Sequence, residues 1–395
     1  MLTQEENDLL TKIGPGTACG DLFRRYWHPI AAAADLTREK PRERVRVLGE
    51  DLVLFWFADQ DRYVLLAEQC RHRGASLYYG YQEESCTVRC AYHGWKYDAE
   101  GRCLEQPFEP PGSHYNEKVR QPAYKVERYR GLVFAYMGPE PAPLIPRWDV
   151  TARTDGTRKI VIHPVLRCNW LQAQENSVDT VHTYYLHGVM MRSKGLPGGE
   201  YYLRPIERYE YVSNEWGITK KRYYGGEQAE AERGHPAVFP NMLRVPEHRW
   251  QAFHWRLPID DESTQIFWMG FLPDDDGREI AQRDSDIPVE HLRSLKTAED
   301  EHEMTSFQSQ DKMAWETQGA RYDRTKEHLS ASDRGITMWR KMLREQIEIV
   351  RAGGRPMALV TDPAQNECIS FDISAGQARE EYQVRKRDAL PGGVA

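Results

Sequence analysis

The sequence predicts an α+β fold with two domains, and three patterns support this prediction. Beyond Arg42 the hydrophobic residues alternate with a period of two, which is typical of antiparallel β-strands. The run from Gly138 to Pro146 has four prolines in nine residues, as a stiff extended linker does. After this run, strand patterns alternate with segments that favour helices, so we expect the second domain to be an antiparallel sheet flanked by helices.

The N-terminal residues favour short helices. Thr3 and Glu6 form a candidate capping box, and the helix that they begin ends at Gly14-Pro15-Gly16. A second short helix is expected from Gly20 to Trp27. We therefore expect three regions along the chain: an N-terminal helical segment at 1–41 that packs on the second domain, a β domain at 42–146, and a second domain at 147–395.

The other elements follow from the same patterns. One helix is expected from Ala298 to Thr317, and a stronger one runs from a Ser332 cap to Ala352. The charged, Gly-containing stretch after Ala375 is expected to be a loosely held tail. The expected strands are Val45–Val47, Leu52–Phe57, Tyr63–Ala67, Thr87–Arg89, Trp95–Tyr97 and Gly131–Met137 in the first domain, and Ile160–Ile162, Tyr201–Tyr224, His235–Val245, Trp250–Leu257 and Thr264–Leu272 in the second.

The composition argues against several classes of partner. The net charge is −7 and the basic residues are not gathered in one tail, so we expect neither nucleic acid nor a membrane as the main partner. The start of the chain lacks the basic and apolar regions of a signal peptide, which favours a cytoplasmic protein. The chain has seven cysteines, which is an odd count, and the cytoplasm is a reducing compartment. A disulfide framework is therefore not expected. These features favour an enzyme that acts on a small molecule.

A first candidate metal site lies in the β domain. Cys70 and His72 are followed, after seventeen residues, by Cys90 and His93, which gives one Cys/His pair on each of two loops. Two thiolates and two imidazoles are the ligands of a [2Fe–2S] cluster of mixed ligation. The alternative is a Cys₂His₂ zinc site, although zinc sites usually pair Cys with Cys and His with His. Cys86 and Cys103 match no ligand position, and we expect them to be small buried residues.

A second candidate site lies in the segment from Asn169 to His187, which contains no Gly or Pro. Two imidazoles and a carboxylate with open coordination positions are typical of non-haem Fe(II) oxygenases. His182 and His187 are five positions apart, about 140° round an ideal helix, so both reach one ion only if the helix is distorted near Tyr184-Tyr185. The local sequence favours Asp179 as the carboxylate ligand. The alternative to a metal site is a structural helix with a polar face. The available acids are Glu175, Asp179, Asp300, Asp311 and Asp323.

The two motifs together resemble those of the Rieske non-haem iron oxygenases. The likeness lies in CRHRGA at Cys70–Ala75 and CAYHGWKY at Cys90–Tyr97, and it departs at Arg71, where many members carry proline. The opening EEN, GPGT and RRYWHP motifs and the NWLQAQEN segment are most similar to the phthalate dioxygenase and aryl O-demethylase branch. The first domain would then be a Rieske [2Fe–2S] domain and the second a catalytic mononuclear iron domain.

The resemblance implies a role for each candidate residue. Cys70, His72, Cys90 and His93 would hold the cluster, and His182 and His187 would bind Fe(II). The third iron ligand would be Asp311, in the segment QDKMAWETQG, rather than Asp179. Asn176 would lie near the iron without necessarily binding it. Asp179 would join His182 to His93 of the partner subunit as an electron-transfer bridge, which implies a ring-shaped homo-oligomer, a trimer.

The implied function is that of a terminal oxygenase component that uses O₂ and electrons from a separate reductase, with or without a ferredoxin. No Gly-rich nucleotide fingerprint is present, so NAD(P)H and flavin would act only through the reductase. The branch implies an aromatic substrate with a carboxylate or phenol, changed by ring dihydroxylation or O-demethylation. Arg204, Arg208 and Arg244 are candidate carboxylate partners, although a solvated surface arginine is the commoner role for any one of them. The alternative is a Rieske electron-transfer or sensor protein without oxygenase activity, which would carry two iron atoms instead of about three.

Overall fold

The computed structural model describes residues 1–225, 230–231, 234–246 and 250–371, so the expected tail after Ala375 lies outside the described residues. Within this part of the chain, no helix is both long and apolar enough to cross a membrane. The helices are α1 Gln4–Thr11, α2 Ala18–Phe23, α3 Asp149–Ala152, α4 Trp170–Val178, a π-helix Thr183–Val189, α5 Met190–Ser193, α6 Phe307–Glu316 and α7 Arg334–Arg351.

The strands of the N-terminal region are β1 Trp27–Ala32, β2 Arg42–Val47, β3 Glu50–Phe57, β4 Arg62–Ala67, β5 Tyr81–Glu83, β6 Thr87–Arg89, β7 Lys96–Tyr97, β8 Cys103–Glu105, β9 Ala123–Tyr129 and β10 Leu132–Tyr136. Those of the C-terminal region are β11 Gly156–Ile162, β12 Ile206–Asn214, β13 Gly217–Tyr224, β14 Glu230–Ala231, β15 His235–Val238, β16 Met242–Val245, β17 Gln251–Pro258, β18 Thr264–Pro273 and β19 Val289–His291.

The first region is built on a six-stranded antiparallel sheet in the order β1-β10-β9-β4-β3-β2. Alternate residues of β3 face opposite sides: Leu52 and Leu54 lie in the main core, whereas Val53 and Phe55 lie in a smaller core with the cysteines between residues 70 and 103. The four-stranded sheet β5-β6-β7-β8 supplies the other side of this smaller core. Because both faces of β3 are covered, consecutive residues of the strand are apolar.

The second region is built on a nine-stranded sheet. Eight strands follow the order β12-β13-β15-β16-β17-β18-β11-β19, and β14 pairs with β13. Its pairs are antiparallel except for β11 and β19, which are parallel. Trp170 of α4 and Trp339 of α7 pack with Phe253 of β17 in the main core. The expected α+β class, with an antiparallel sheet in one region and helices against the sheet of the other, is confirmed.

The two sheets share the main core. The ring centroids of Phe134 on β10 and Trp255 on β17 are 5.9 Å apart. The backbone N–H of Leu48 donates to the carbonyl of Pro258 at 3.0 Å. The proline-rich run between the two sheets is irregular, and its Leu144 pairs with Val360 near the end of the described chain. The first region therefore packs closely on the nine-stranded sheet of the second region.

The N-terminal segment differs from the expected helical one. Helix α1 does contact the second region, because the side-chain amide of Asn169 donates to the carbonyl of Thr11 at 3.0 Å. Helix α2, however, ends at Phe23, and Trp27–Ala32 forms β1, which pairs with β10. All six residues of β1 are buried, so the strand shows no alternation that the sequence could reveal. The six-stranded sheet thus begins before residue 42.

Three bounds in the second region also differ. Helix α6 begins at Phe307 instead of Ala298, because Ser306 caps it and Met304 has a positive φ of 54°. Helix α7 begins at Arg334, two residues after the expected Ser332 cap. The predicted single strand His235–Val245 is two antiparallel strands, β15 and β16, which are joined by a turn.

Candidate metal centres and the adjoining cavity

Two loops with the same backbone pattern carry the Cys/His pairs of the first site. In the first loop the N–H of Gly74 donates to the carbonyl of Cys70 at 2.8 Å, and in the second the N–H of Gly94 donates to the carbonyl of Cys90 at 2.9 Å. Both glycines have positive φ, 75° and 73°, which explains why glycine stands in each motif. Each loop is therefore a tight turn that presents one Cys and one His.

The four side chains of these loops converge. Cys70 and Cys90 are buried, and a hydrogen bond from the Cys70 thiol lowers the pKa of Cys90. The rings of His72 and His93 have centroids 4.5 Å apart. The buried Nδ1 of His72 has no hydrogen-bond partner among the described residues, as a metal ligand requires. Paired thiols and paired imidazoles fit a [2Fe–2S] cluster of mixed ligation.

The surroundings of the first site fix its ligands. The indole of Trp95 stacks on His72 with an interplanar angle of 6° and a centroid distance of 4.3 Å. The hydroxyl of Tyr97 lies 3.2 Å from Sγ of Cys70. Cys86 and Cys103 are buried in the same small core, in keeping with the packing role expected for them.

The segment with the second site is not one continuous helix. Helix α4 begins at the Asn169 cap and ends before Asp179, whose backbone is extended with φ −85° and ψ 128°. The carboxylate of Asp179 accepts the backbone N–H groups of Val181 at 2.8 Å and His182 at 3.3 Å, and so caps the next helical turn. Asp179 and His182 therefore do not lie on one continuous helix.

The cap and the helix that follows it place both histidines. Nδ1 of His182 lies 3.4 Å from Oδ2 of Asp179. Beyond His182 the chain forms the π-helix, whose i→i+5 hydrogen bonds widen each turn. The rings of His182 and His187 consequently have centroids 5.3 Å apart. The predicted distortion near Tyr184-Tyr185 is confirmed.

Asp311 of α6 completes a group of three candidate ligands with these histidines. One ligand atom from each of the three residues lies within 4.8 Å of the others. Oδ1 of Asp311 is 3.3 Å from Nε2 of His187 and 3.9 Å from Nε2 of His182. Nδ2 of Asn176 is 3.4 Å from the same oxygen. Two imidazoles and one carboxylate, with one side facing a cavity, fit a non-haem iron site with open positions.

Gln310 fixes His187, and the sequence analysis did not identify it. Its Oε1 lies 2.9 Å from Nδ1 of His187, while its amide nitrogen donates to the carbonyl of Met304 and to the sulfur of Met191. These bonds place the proton of His187 on Nδ1 and leave Nε2 free for a metal. The only signal in the sequence is that Gln310 directly precedes Asp311.

The other acids considered for this site have different partners. Glu175 lies 2.7 Å from Arg324 and 2.6 Å from Arg340, and these guanidinium groups hold its pKa below the usual value although burial opposes the shift. Asp300 lies 3.3 Å from Lys296, and Asp323 lies 3.0 Å from Lys326. The imidazoles of His187 and His182 likewise lower the pKa of Asp311 against the effect of burial. The carboxylate beside the two histidines therefore stays charged.

A cavity of about 370 Å³ adjoins the three candidate ligands. Its wall contains the aromatic side chains of Trp250, Trp268, Phe307 and Trp315. It also contains Lys220, Arg222, Arg256 and Lys312, and burial lowers the pKa of Arg256 to about 10. The volume suits an organic molecule of one or two rings.

The three arginines suggested from the sequence do not belong to the described wall of this cavity. Arg244 is buried against Asp149 at 2.7 Å, so it stabilises the fold. The guanidinium of Arg208 lies 3.7 Å from the ring centroid of Tyr223, and that of Arg204 lies 4.3 Å from that of Tyr224. None of the three therefore lies where it would pair with a substrate carboxylate in this cavity.

Comparisons with known proteins agree with this arrangement. Residues 26–127 match the Rieske [2Fe-2S] domain. The 5,5'-dehydrodivanillate O-demethylase oxygenase subunit of Sphingobium sp. is 39% identical over 97% of this chain and 91% of that protein. The tert-butanol monooxygenase / tert-amyl alcohol desaturase oxygenase subunit of Aquincola tertiaricarbonis is 34% identical over 94% of this chain and 81% of that protein. The expected resemblance to the aryl O-demethylase branch is confirmed.

The fold has solved counterparts as well. The terminal oxygenase of carbazole 1,9a-dioxygenase from Nocardioides aromaticivorans has a TM-score of 0.61 at 19% identity, over 88% of this chain and 98% of that one. This likeness bears on the fold alone. The names of the two relatives differ in the compounds that they mention, one aromatic and one an aliphatic alcohol, so the substrate must be argued from the cavity.

Proposed function

The chain belongs to the Rieske non-haem iron oxygenases as an oxygenase subunit, and from this premise we propose that it hydroxylates an aromatic substrate with O₂. Its cofactors are a Rieske [2Fe–2S] cluster and a mononuclear non-haem iron. When bound, the cluster supplies single electrons and the iron supplies the site at which O₂ is activated. The observation that carries the proposal is the group His182, His187 and Asp311 beside an aromatic-walled cavity.

We assign the cluster ligands to Cys70, His72, Cys90 and His93, and the iron ligands to His182, His187 and Asp311. The support for the first set is the pair of matching loops, and for the second the distances among the three side chains. The amide of Asn176 lies near enough to orient Asp311 without binding the iron itself. We place the boundary between the Rieske domain and the catalytic domain in the linker at 138–146.

We further propose that Asp179 joins His182 to His93 of the partner subunit, in a head-to-tail trimer. Two surface features support this route. Tyr92, beside His93, has 58% of its side chain exposed. Asp179, His182 and Leu186 line a surface depression of about 380 Å³ that could receive such a loop. A separate reductase, with or without a ferredoxin, would load the cluster, and NAD(P)H and flavin would act only there.

The aromatic substrate is inferred from the cavity wall. Its tryptophan and phenylalanine rings offer flat apolar surfaces, and its basic side chains favour a compound with a carboxylate or phenol. The reaction is a ring dihydroxylation or an O-demethylation that begins with hydroxylation of the methyl group. We place the protein in the cytoplasm, where reduced thiols such as those proposed for the cluster persist.

A product screen tests the function. The holoprotein with a surrogate reductase, NADH and O₂ is incubated with benzoates, phthalates and methoxybenzoates, and products are identified by mass spectrometry. We expect at least one O₂-dependent product, either a diol or a phenol with formaldehyde. The control is the same mixture without O₂.

Metal analysis separates this function from electron transfer or sensing alone. The proposed ligand sets require about three iron atoms per chain, two in the cluster and one at the mononuclear site. Two iron atoms per chain, together with an empty product screen, would mean that the chain only carries electrons.

A further inference from the structure

One wall of the cavity is lined with hydrogen-bond donors that have no partner among the described residues. The side chains of Lys312 and His163 are only 4% and 5% exposed, and Nζ of Lys312 and both ring nitrogens of His163 are unpaired. The indole nitrogen of Trp268 and Nε of Arg256 are unpaired as well. Buried donors are normally satisfied, so a set of unsatisfied donors around one cavity indicates a ligand that accepts hydrogen bonds.

Three of these donors, Lys312, His163 and Trp268, come from different parts of the fold that meet at the cavity. Lys312 follows the proposed iron ligand Asp311 on α6. His163 directly follows β11, where its backbone N–H donates to the carbonyl of Ile266 at 3.0 Å. The ring of Trp268 on β18 has its centroid 6.1 Å from that of His163. Rigid strands and a helix therefore hold the donors in place before any ligand binds.

Lys312 and Arg256 form no ion pair among the described residues, although Glu316 and Asp311 act on them at longer range. Glu316 lies one turn along α6 from Lys312, but it is bound by Lys296 at 3.1 Å and lies 3.4 Å from His302. Neither Lys312 nor Arg256 has a carboxylate within ion-pair distance in the described part of the chain. Buried cations without a partner are costly, and an anionic ligand would remove that cost.

We propose that Lys312, His163 and Trp268 form an anion subsite that binds a carboxylate of the substrate. The inference rests on the proposed function and narrows it, because the substrate then becomes an aromatic carboxylic acid. Two carboxylate oxygens can accept an ammonium, an imidazole N–H and an indole N–H together, whereas a single phenol oxygen has fewer acceptor positions. Burial lowers the pKa of His163 to about 3, so its ring is neutral and donates one N–H.

The subsite would also fix the orientation of the substrate. Lys312 and Asp311 are consecutive on one helix, so a carboxylate that Lys312 binds lies at a fixed distance from the proposed iron. The subsite binds the end of the substrate that carries the carboxylate. The ring carbon or methoxy group that reacts is then the one that lies beside the metal ligands. A relative with a neutral substrate would have no use for these unpaired donors.

Ligand binding tests the subsite apart from turnover. The oxidised holoprotein is titrated without O₂ or reductase, and Kd is measured by calorimetry for matched pairs of probes. The pairs are vanillate with vanillamide and 3-phenoxybenzoate with 3-phenoxybenzamide, which differ only in the charged group. We expect at least one carboxylate to bind about 10- to 100-fold more tightly than its amide, the worth of a charge-assisted hydrogen bond.

Variants identify the residues responsible. Lys312→Met should abolish the preference for the carboxylate and leave the Kd of the amide unchanged, while Lys312→Arg should keep the preference. Lys341→Met on the exposed face of α7 is the matched control and should bind both probes as the wild type does. Trp268→Phe removes one hydrogen-bond donor without altering the charge, so it should reduce the preference for the carboxylate over the amide. It provides a second test if the Lys312 variants fold poorly.

Two results would overturn the subsite. One is a wild-type protein that binds no carboxylate of the panel more tightly than its amide. The other is a Lys312→Met protein, with its full iron content, that keeps the wild-type preference. Either result leaves the oxygenase function intact if the product screen is positive, and an empty screen leaves the measured preference intact.

Discussion

At the scale of single residues, the two histidines of the proposed iron site are oriented by different acceptors. Nδ1 of His182 faces the carboxylate of Asp179, whereas Nδ1 of His187 faces the amide oxygen of Gln310. The hydrogen bond with Gln310 holds the proton of His187 on the nitrogen that points away from Asp311, and the nearby charge of Asp179 favours the same tautomer in His182. A negative and a neutral acceptor have unequal effects, so His182 should be the stronger electron donor to the metal.

Asp311→Ala is expected to remove the mononuclear iron and to leave the cluster in place, because the two proposed ligand sets lie in different regions of the chain. Metal analysis should show a fall from about three to about two iron atoms per chain, with an unchanged Rieske absorption spectrum. Asp323→Ala, which removes a partner of Lys326, is the control and should retain all the iron. Loss of both centres from Asp311→Ala would contradict the assignment.

Gln310→Leu is expected to weaken iron binding about 10- to 100-fold, because His187 loses the acceptor that holds its proton on Nδ1. Competition with a chelator measures the affinity. Gln310→Glu restores an acceptor oxygen at the same place and should recover most of the binding. A purely structural role would instead lower the melting temperature of both variants and leave the affinity for iron unaltered.

At the scale of elements, the sequence predicted the distortion of the iron-binding segment but not its break. The five-residue spacing of His182 and His187 demands a wider turn, and the π-helix provides it. The break before Asp179 carries no Gly or Pro signal, since a capping carboxylate alone makes it. Such local hydrogen bonds compete closely with the helix, and only the surrounding packing decides between them.

The difference between local sequence patterns and the packing of the whole fold also explains which other features the sequence predicted. Most strands of the second sheet were predicted because their alternation is local, whereas β1 was missed because it is buried throughout. The ligands of the cluster lie in short motifs. The anion subsite combines His163, Trp268 and Lys312, which are remote in the chain, and no pattern around any one of them shows that they meet.

Glu175→Ala is expected to destabilise the junction of α4 and α7 strongly. The carboxylate binds Arg324 and Arg340, which are both buried, and its removal leaves uncompensated charge. Breaking a buried pair in this way typically costs about 3–5 kcal/mol. Thermal and denaturant unfolding measure the loss, and Glu345→Ala on the exposed side of α7 should change stability by less than about 1 kcal/mol. If Glu175→Ala and Glu345→Ala changed stability equally, the ion pairs of Glu175 would not be what stabilises this junction.

At the scale of the whole molecule, the six-stranded sheet separates two sites with different surroundings. The cluster loops lie over its smaller core, and the catalytic sheet lies over the main one. In the proposed trimer, the partly exposed His93 would give each subunit a donor face, and the depression beside Asp179 would give it an acceptor face. Different faces on the same subunit make a heterologous interface, which closes into a ring when the rotation allows.

Mixing two inactive variants tests that arrangement. Cys90→Ser should lose the cluster and keep the iron, while Asp311→Ala should keep the cluster and lose the iron, so trimers of either one should be inactive. Co-expressed with different tags and purified through both, mixed trimers should contain iron-bearing subunits beside partners that carry a cluster. Each closed mixed trimer has one productive junction out of three, so these trimers should show about a third of the wild-type activity per chain.

The control for this mixing is Cys90→Ser combined with the double variant Cys90→Ser/Asp311→Ala, in which no cluster exists in any subunit and no activity should return. Electron transfer within one chain makes the opposite prediction, because no subunit of the mixed trimer has both centres. Inactive mixed trimers with the full iron content of each variant would therefore rule out the route through Asp179 and His93 of the partner subunit.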